Sequence, residues 1–280
     1  MRFRPIAIMA AIAGLLVGTT SVSASSEHFN PPKHFYLALG DSLAYGYQQA
    51  KFLGEAASGH IDPATFPGYA GAFATLLRDV RPEILSVNYG CPGETTASYF
   101  TGCRFSALGH FPLHNSYSGS QEAAALAFLH AHPGQVSPIT LDNGANDTTP
   151  CLTSPDPLCL PTALAQVRSN LDRALAELRD AAPNAEIIVM EYYDPFAVLA
   201  PSTLAGTRAL NEAIATAAAA HGARLADAFT PFNLAPPQPQ TLCALTLFCT
   251  ALHDIHASDA GYAVIAQQFW EASGYSRLGD

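Results

Sequence analysis

The stretch Ala38-Leu39-Gly40-Asp41-Ser42-Leu43-Ala44-Tyr45-Gly46 decides how the rest of the chain is read. Residues 35–39 form a short apolar run that reads as a buried strand, and the run stops abruptly at Gly-Asp-Ser. A serine on the turn after a core strand lies at the carboxyl edge of a sheet, where open α/β folds place their chemistry. If Ser42 is a nucleophile, the remaining chain must supply a base for its proton and donors for an oxyanion.

Downstream, strand-like and helix-like runs alternate. Residues 83–88, 136–141, 185–191 and 224–228 read as further strands, and residues 69–79, 121–131, 161–181, 203–221 and 260–272 as helices. In the longest helical run Leu164, Val167, Leu171, Leu175 and Leu178 recur at three- and four-residue steps. Pro161 stands at its start, and Gly222 follows the alanine-rich run in the place of a C-cap glycine. This alternation predicts a three-layer α/β/α fold around a central parallel sheet of about five strands. A flavodoxin-like order, 2-1-3-4-5, is the natural guess.

Upstream, residues 1–24 have the layout of a secretory signal peptide. Met1-Arg2-Phe3-Arg4 is a basic start, residues 6–17 are apolar, and Val22-Ser23-Ala24 is a small-x-small cleavage site. The apolar run is shorter than the roughly 20 residues a membrane span needs, so no stable membrane anchor is expected. Residues 25–280 read as one domain, because no linker, repeat or charge run divides them. Without Arg2 and Arg4 the chain holds 11 basic and 23 acidic residues, a net charge of −12. That argues against a nucleic-acid partner and favours a soluble extracellular protein, which is also expected to be a monomer.

The six cysteines Cys91, Cys103, Cys151, Cys159, Cys243 and Cys249 are an even number in an exported chain, which reads as disulfides. Several pairings are open, and sequence order suggests three local ones: Cys91–Cys103, Cys151–Cys159 and Cys243–Cys249. They would brace loops at the edge that carries Ser42. Surplus apolar residues gather in the same loops, at Tyr99-Phe100, Phe105, Phe111-Pro112-Leu113 and residues 242–252, and could line a groove for an acyl chain.

Four blocks carry chemistry: Gly40-Asp41-Ser42-Leu43, then residues 88–95 with Gly90, Gly93 and Glu94, then Gly144-Ala145-Asn146-Asp147, and last His253-Asp254-Ile255-His256. Each is weak alone. In this order and at strand ends, the set resembles the SGNH (GDSL) hydrolase superfamily from Gly40 to Tyr262. The resemblance implies that Ser42 attacks an ester carbonyl, with His256 as base and then acid. It also implies oxyanion donors at the Ser42 backbone N–H, the Gly93 N–H (favoured over Gly90 by spacing) and the Asn146 side chain. Asp41 and Asp147 read as local hydrogen-bonding or capping groups.

The fourth block departs from the commonest family pattern, in which an acid stands three residues before the base. Here that position is His253, and Asp254 is two before His256. Either Asp254 or a backbone carbonyl near residues 253–254 then orients the imidazole. A metal site on His253, Asp254 and His256 would leave the serine and asparagine blocks unexplained, so neither metal nor cofactor is expected. The other histidines, including His60, His110, His114, His130, His132 and His221, read as surface or loop residues.

No Gly-x-Ser-x-Gly elbow, P-loop or dinucleotide fingerprint is present. The leading expectation is a secreted serine esterase or lipase acting on a small-molecule or lipid ester through an acyl-enzyme. A carbohydrate O-acetyl esterase of the same fold is the alternative, ahead of a non-catalytic lipid- or glycan-binding module.

Overall fold

The computed structural model of the chain describes residues 29–103, 105, 111–152 and 154–279. The signal peptide expected at residues 1–24 lies outside them.

Five parallel strands form one sheet: β1 (Phe35–Gly40), β2 (Leu85–Asn88), β3 (Val136–Asp142), β4 (Ile187–Glu191) and β5 (Arg224–Asp227). Their order is β2-β1-β3-β4-β5, as expected. Every residue of β3 and the Ile-Ile-Val-Met run of β4 are buried, as strands covered on both faces must be. The helices are α1 (Ser42–Tyr45), α2 (Gln49–Ala57), α3 (Gly68–Val80), α4 (Gln121–Ala131), α5 (Ala145–Thr148), α6 (Cys159–Ala181), α7 (Leu204–Ala220), α8 (Gln240–Leu245) and α9 (Asp259–Ser273). Helix α3 packs on α9, with Tyr69 and Phe269 stacked at 4.7 Å, while α6 packs between α4 and α7. None of the described helices is long and apolar enough to cross a membrane.

The long helices fall where their apolar periodicity puts them, with ends shifted by a residue or two. Helices α2 and α8 were not anticipated. No residue of α2 is buried and the helix is only nine residues long, and α8 is a single short turn-and-a-half behind a proline-rich loop.

The order of strands places the site. The chain leaves β1 toward β2, then crosses back to β3 on the other side of β1, so connections diverge at the carboxyl ends of β1 and β3. A crevice opens at such a switch point. Gly40 lets β1 and β3 close there: at φ +137° a Cβ on it would stand 2.2 Å from the Asp142 carboxylate. Gln121, fully buried at the start of α4, clasps the strand end by accepting from the Gly40 N–H (2.6 Å) and donating to the Gly40 carbonyl (2.9 Å).

Candidate active site

Ser42 opens α1 directly after β1. Asp41 caps that turn, its carboxylate accepting from the Leu43 N–H at 2.9 Å, and Gly46 ends it in the left-handed conformation. The predicted capping role of Asp41 holds. A hydrogen bond of 2.9 Å joins Ser42 Oγ to His256 Nε2. On the other side of the imidazole, Nδ1 lies 2.5 Å from Asp254 Oδ1. With its proton on Nδ1, directed at the carboxylate, the ring keeps Nε2 as an acceptor for the serine hydroxyl. The open question of which group faces Nδ1 is answered in geometry: it is the Asp254 carboxylate, not a main-chain carbonyl.

Two residues of spacing suffice because the chain folds back tightly here. Asp254 Oδ1 also accepts from the His256 N–H at 3.2 Å, and Oδ2 accepts from the Gln49 N–H at 2.7 Å. Burial by itself raises this carboxyl, but the hydrogen bond and charge of His256, joined by the two N–H donors, outweigh it and hold Asp254 below the ordinary carboxylate range. His253, at φ +46°, turns its ring away and bonds the Phe248 carbonyl at 3.0 Å. The edge of Tyr47 packs on the His256 ring at 4.8 Å.

Gly93 sits at φ +75° in the loop after β2, and Asn146 at the start of α5 after β3. Among the described residues neither the Ser42 nor the Gly93 N–H has an acceptor. The Asn146 amide is oriented by two acceptors, the Glu94 carbonyl (2.9 Å) and Asp41 Oδ2 (3.4 Å). Asp147 ties the two loops together, accepting from the Thr96 N–H (2.9 Å) and hydroxyl (2.7 Å). Gly90 is instead packed on α1, its N–H bonded to Asn88 Oδ1 at 2.8 Å, which separates it from the cleft.

Beneath these groups lies a buried polar layer that the sequence reading passed over. Tyr192, just past β4, donates to Asp41 Oδ2 (2.8 Å), and Tyr69 donates to Asp142 Oδ1 (2.6 Å). Burial, then the charge of Asp41, pushes the Asp142 carboxyl well up, and burial likewise raises Asp41. Glu94 is raised to about 7, mainly by burial, while its hydrogen bonds to Ser98 and Gln121 work in the opposite direction. Asp142 carried one usable signal, an acid closing an otherwise uncharged strand. Tyr192 carried none, since an aromatic after a core strand reads as ordinary packing.

The six cysteines pair as sequence order suggested: Cys91–Cys103, Cys151–Cys159 and Cys243–Cys249. The first loop carries Gly93 and the third precedes His256. Two chambers meet at Ser42. One is lined by Leu43, Leu152, Leu160, Phe196 and Leu210, the other by Tyr47, Phe52, Pro92, Phe105 and Phe111; Asn146, Ile255 and His256 border both.

The apolar loops were therefore only partly anticipated. Phe105 and Phe111 do line the cleft, but Tyr99, Leu242 and Phe248 are buried in the body of the protein and residues 242–252 line neither chamber. Those side chains had a core to fill, and the walls come instead from α6, α7 and the segment after β4. His114 is also not a plain surface residue: it is half-buried, with Nε2 between the Tyr45 (2.9 Å) and Phe66 (3.1 Å) carbonyls. His110 lies outside the described residues.

A parallel sheet with a serine–imidazole–carboxylate line at its switch point defines a class of α/β hydrolytic enzyme. The model of the GDSL-like lipase/acylhydrolase family matches residues 38–264, and the chain belongs to that family of ester hydrolases. A search of curated proteins gave no match. Among solved structures, an α/β hydrolase from the metagenome of Lake Arreo, Spain, is 20% identical, with 89% of this chain and 98% of that chain covered and a TM-score of 0.56. A variant of an acetyl xylan esterase from Geobacillus stearothermophilus is 19% identical over 89% and 97%, TM-score 0.57. A lipase from a goat rumen metagenome is 16% identical over 87% and 99%, TM-score 0.56. At these identities the likeness is one of fold.

Proposed function

We propose that the chain is a secreted serine esterase or lipase that hydrolyses carboxylic esters through an acyl-enzyme. The observation that carries this reading is the continuous line from Asp254 through His256 to Ser42 Oγ, with bonds of 2.5 and 2.9 Å, at the floor of an apolar cleft. In acylation, Oγ bonds to the ester carbon while His256 Nε2 takes its proton. The tetrahedral intermediate then collapses, the bond to the alcohol oxygen breaks, and the imidazolium returns the proton to the departing alcohol. A water repeats the sequence, freeing the acid and restoring Ser42. The negative oxygen is received by the Ser42 and Gly93 N–H groups and by the Asn146 amide, which gives up its long bond of 3.4 Å to Asp41 Oδ2 to do so. One such donor is worth roughly 3–4 kcal/mol of transition-state stabilisation.

Export through a signal peptide at residues 1–24 fits three disulfides, which persist outside the reducing cytosol. No cofactor enters the scheme, and the substrate is a small-molecule or lipid ester acted on by a monomer. A carbohydrate O-acetyl ester is the second reading. The stacked rings of Phe52 and Phe111 (5.1 Å, 19°) at the cleft favour it, since such a surface can carry a sugar ring.

Hydrolysis of p-nitrophenyl esters by the disulfide-intact protein tests the proposal. Wild type turns over and Ser42→Ala loses roughly 10⁴-fold or more in kcat. Equal turnover by both proteins would refute it.

A further inference from the structure

The two chambers at Ser42 differ in size and in wall. The narrow one, about 110 Å³, is lined by Leu43, Leu152, Leu160 and Leu210 together with the rings of Tyr192, Tyr193 and Phe196. The broad one, about 560 Å³, is walled by the rings of Tyr47, Phe52, Phe105 and Phe111. We propose that the narrow chamber holds the acyl chain, an unbranched aliphatic one longer than acetyl, and that the broad chamber receives the alcohol. This assignment rests on the acyl-enzyme reading above and adds the direction in which the ester lies.

The order of chemical events supports the assignment. The acyl group stays bonded to Ser42 Oγ after the alcohol has gone, and water must then approach from the side the alcohol vacated, within reach of the same His256 Nε2. The leaving side therefore has to admit solvent while the acyl side stays filled, which suits the larger chamber. His256 borders both chambers, so a water entering through the broad one comes within reach of the base. A flexible aliphatic chain gains from a close-fitting apolar slot methylene by methylene. A gain of about 0.8 kcal/mol per buried CH₂ corresponds to roughly a fourfold rise in kcat/KM for each one that fits. A flat alcohol, aromatic or sugar, gains more from ring faces.

Gly206, on α7, lines the narrow chamber, and a Cβ built on it meets only Leu160 Cδ2, at 3.6 Å, an ordinary contact. Gly206→Leu therefore fills the slot. The expected result is a fall of at least about tenfold in the octanoate-to-acetate ratio of kcat/KM for p-nitrophenyl esters. Leu160→Ala, which widens the slot, is expected to raise that ratio at least about threefold. Phe111→Ala, in the broad chamber, is expected to lower p-nitrophenyl relative to methyl esters of one acid about fivefold, while the acyl ratio moves less than about twofold.

Circular dichroism and thermal unfolding establish that each variant is folded. If Gly206→Leu is not, Gly206→Ala and Leu160→Ala carry the same comparison. An unchanged octanoate-to-acetate ratio in the folded slot variants overturns the assignment, as does an acyl-length shift in Phe111→Ala. Wild-type protein inactive on every ester would refute the enzymatic reading itself, a different outcome from an active enzyme whose profile ignores these walls.

Discussion

At the scale of single residues, the site turns on how a carboxylate two positions before a histidine can orient it. Asp254 does so through a tight turn in which one oxygen meets both the His256 ring and its own backbone N–H, and the other is held by Gln49. Asn at position 254 keeps the shape but loses the charge and reverses the hydrogen-bonding preference at one terminus. We expect Asp254→Asn to lower kcat by roughly 10⁴-fold with a small change in KM. Steady-state kinetics on p-nitrophenyl esters reads this directly. A loss under about tenfold would mean that the side chain does not hold the imidazole in the working tautomer. Ser42, His256 and Asn146 were each named from their blocks. Tyr192 and Gln121 were not, because what makes them matter, a bond of 2.8 Å to Asp41 and a two-point clasp on Gly40, joins positions far apart in the chain.

At the scale of elements, the active edge depends on β1 and β3 approaching closely at their carboxyl ends. Gly40 is the point of closest contact, where a Cβ would also stand 2.3 Å from the Asp142 carbonyl. Gly40→Ala combines that clash with a positive φ disfavoured for L residues, and we expect it to cost about 3–5 kcal/mol. Urea unfolding monitored by circular dichroism measures the loss. A cost under about 1 kcal/mol would show that the strand end can splay open without penalty. The strands and long helices could be recognised from periodicity because each buries one face or stripe or, as for β3, both faces. The cleft walls could not, since an apolar residue in a loop serves equally to fill the core, as Phe248 does, or to line a pocket, as Phe111 does.

At the scale of the whole molecule, several carboxyls lie buried under the site, and they make folding stability depend on pH. Glu94 titrates at about 7 in the folded protein against the ordinary glutamate value of 4.5. A raised folded pKa means that the native state holds the proton more tightly than the unfolded chain. This contribution is fully present below about pH 4.5 and is lost as the pH rises through about 7. Glu94→Gln removes the titration and keeps a neutral hydrogen-bonding side chain. Relative to wild type, the variant is expected to gain on the order of 2 kcal/mol between pH 5 and pH 8. Denaturant melts at the two pH values test the sign, and a variant that tracks wild type at both would contradict it.

What could be read from the chain before folding was whatever local pattern or motif expresses: the alternation of strands and helices, the four blocks in order, and three short cysteine loops. The order β2-β1-β3-β4-β5 could not be read from that alternation, and it matches the flavodoxin-like arrangement taken as the natural guess. What needed the fold were relations between distant positions. The carboxylate facing His256 Nδ1, the buried layer of Asp41, Asp142 and Glu94, and the walls on either side of Ser42 all depend on packing distances that no spacing along the chain encodes. Periodicity reports which face of an element is apolar. Only the packed structure determines what that face meets, and at this site that decides how the base is held and which chamber meets which part of the ester.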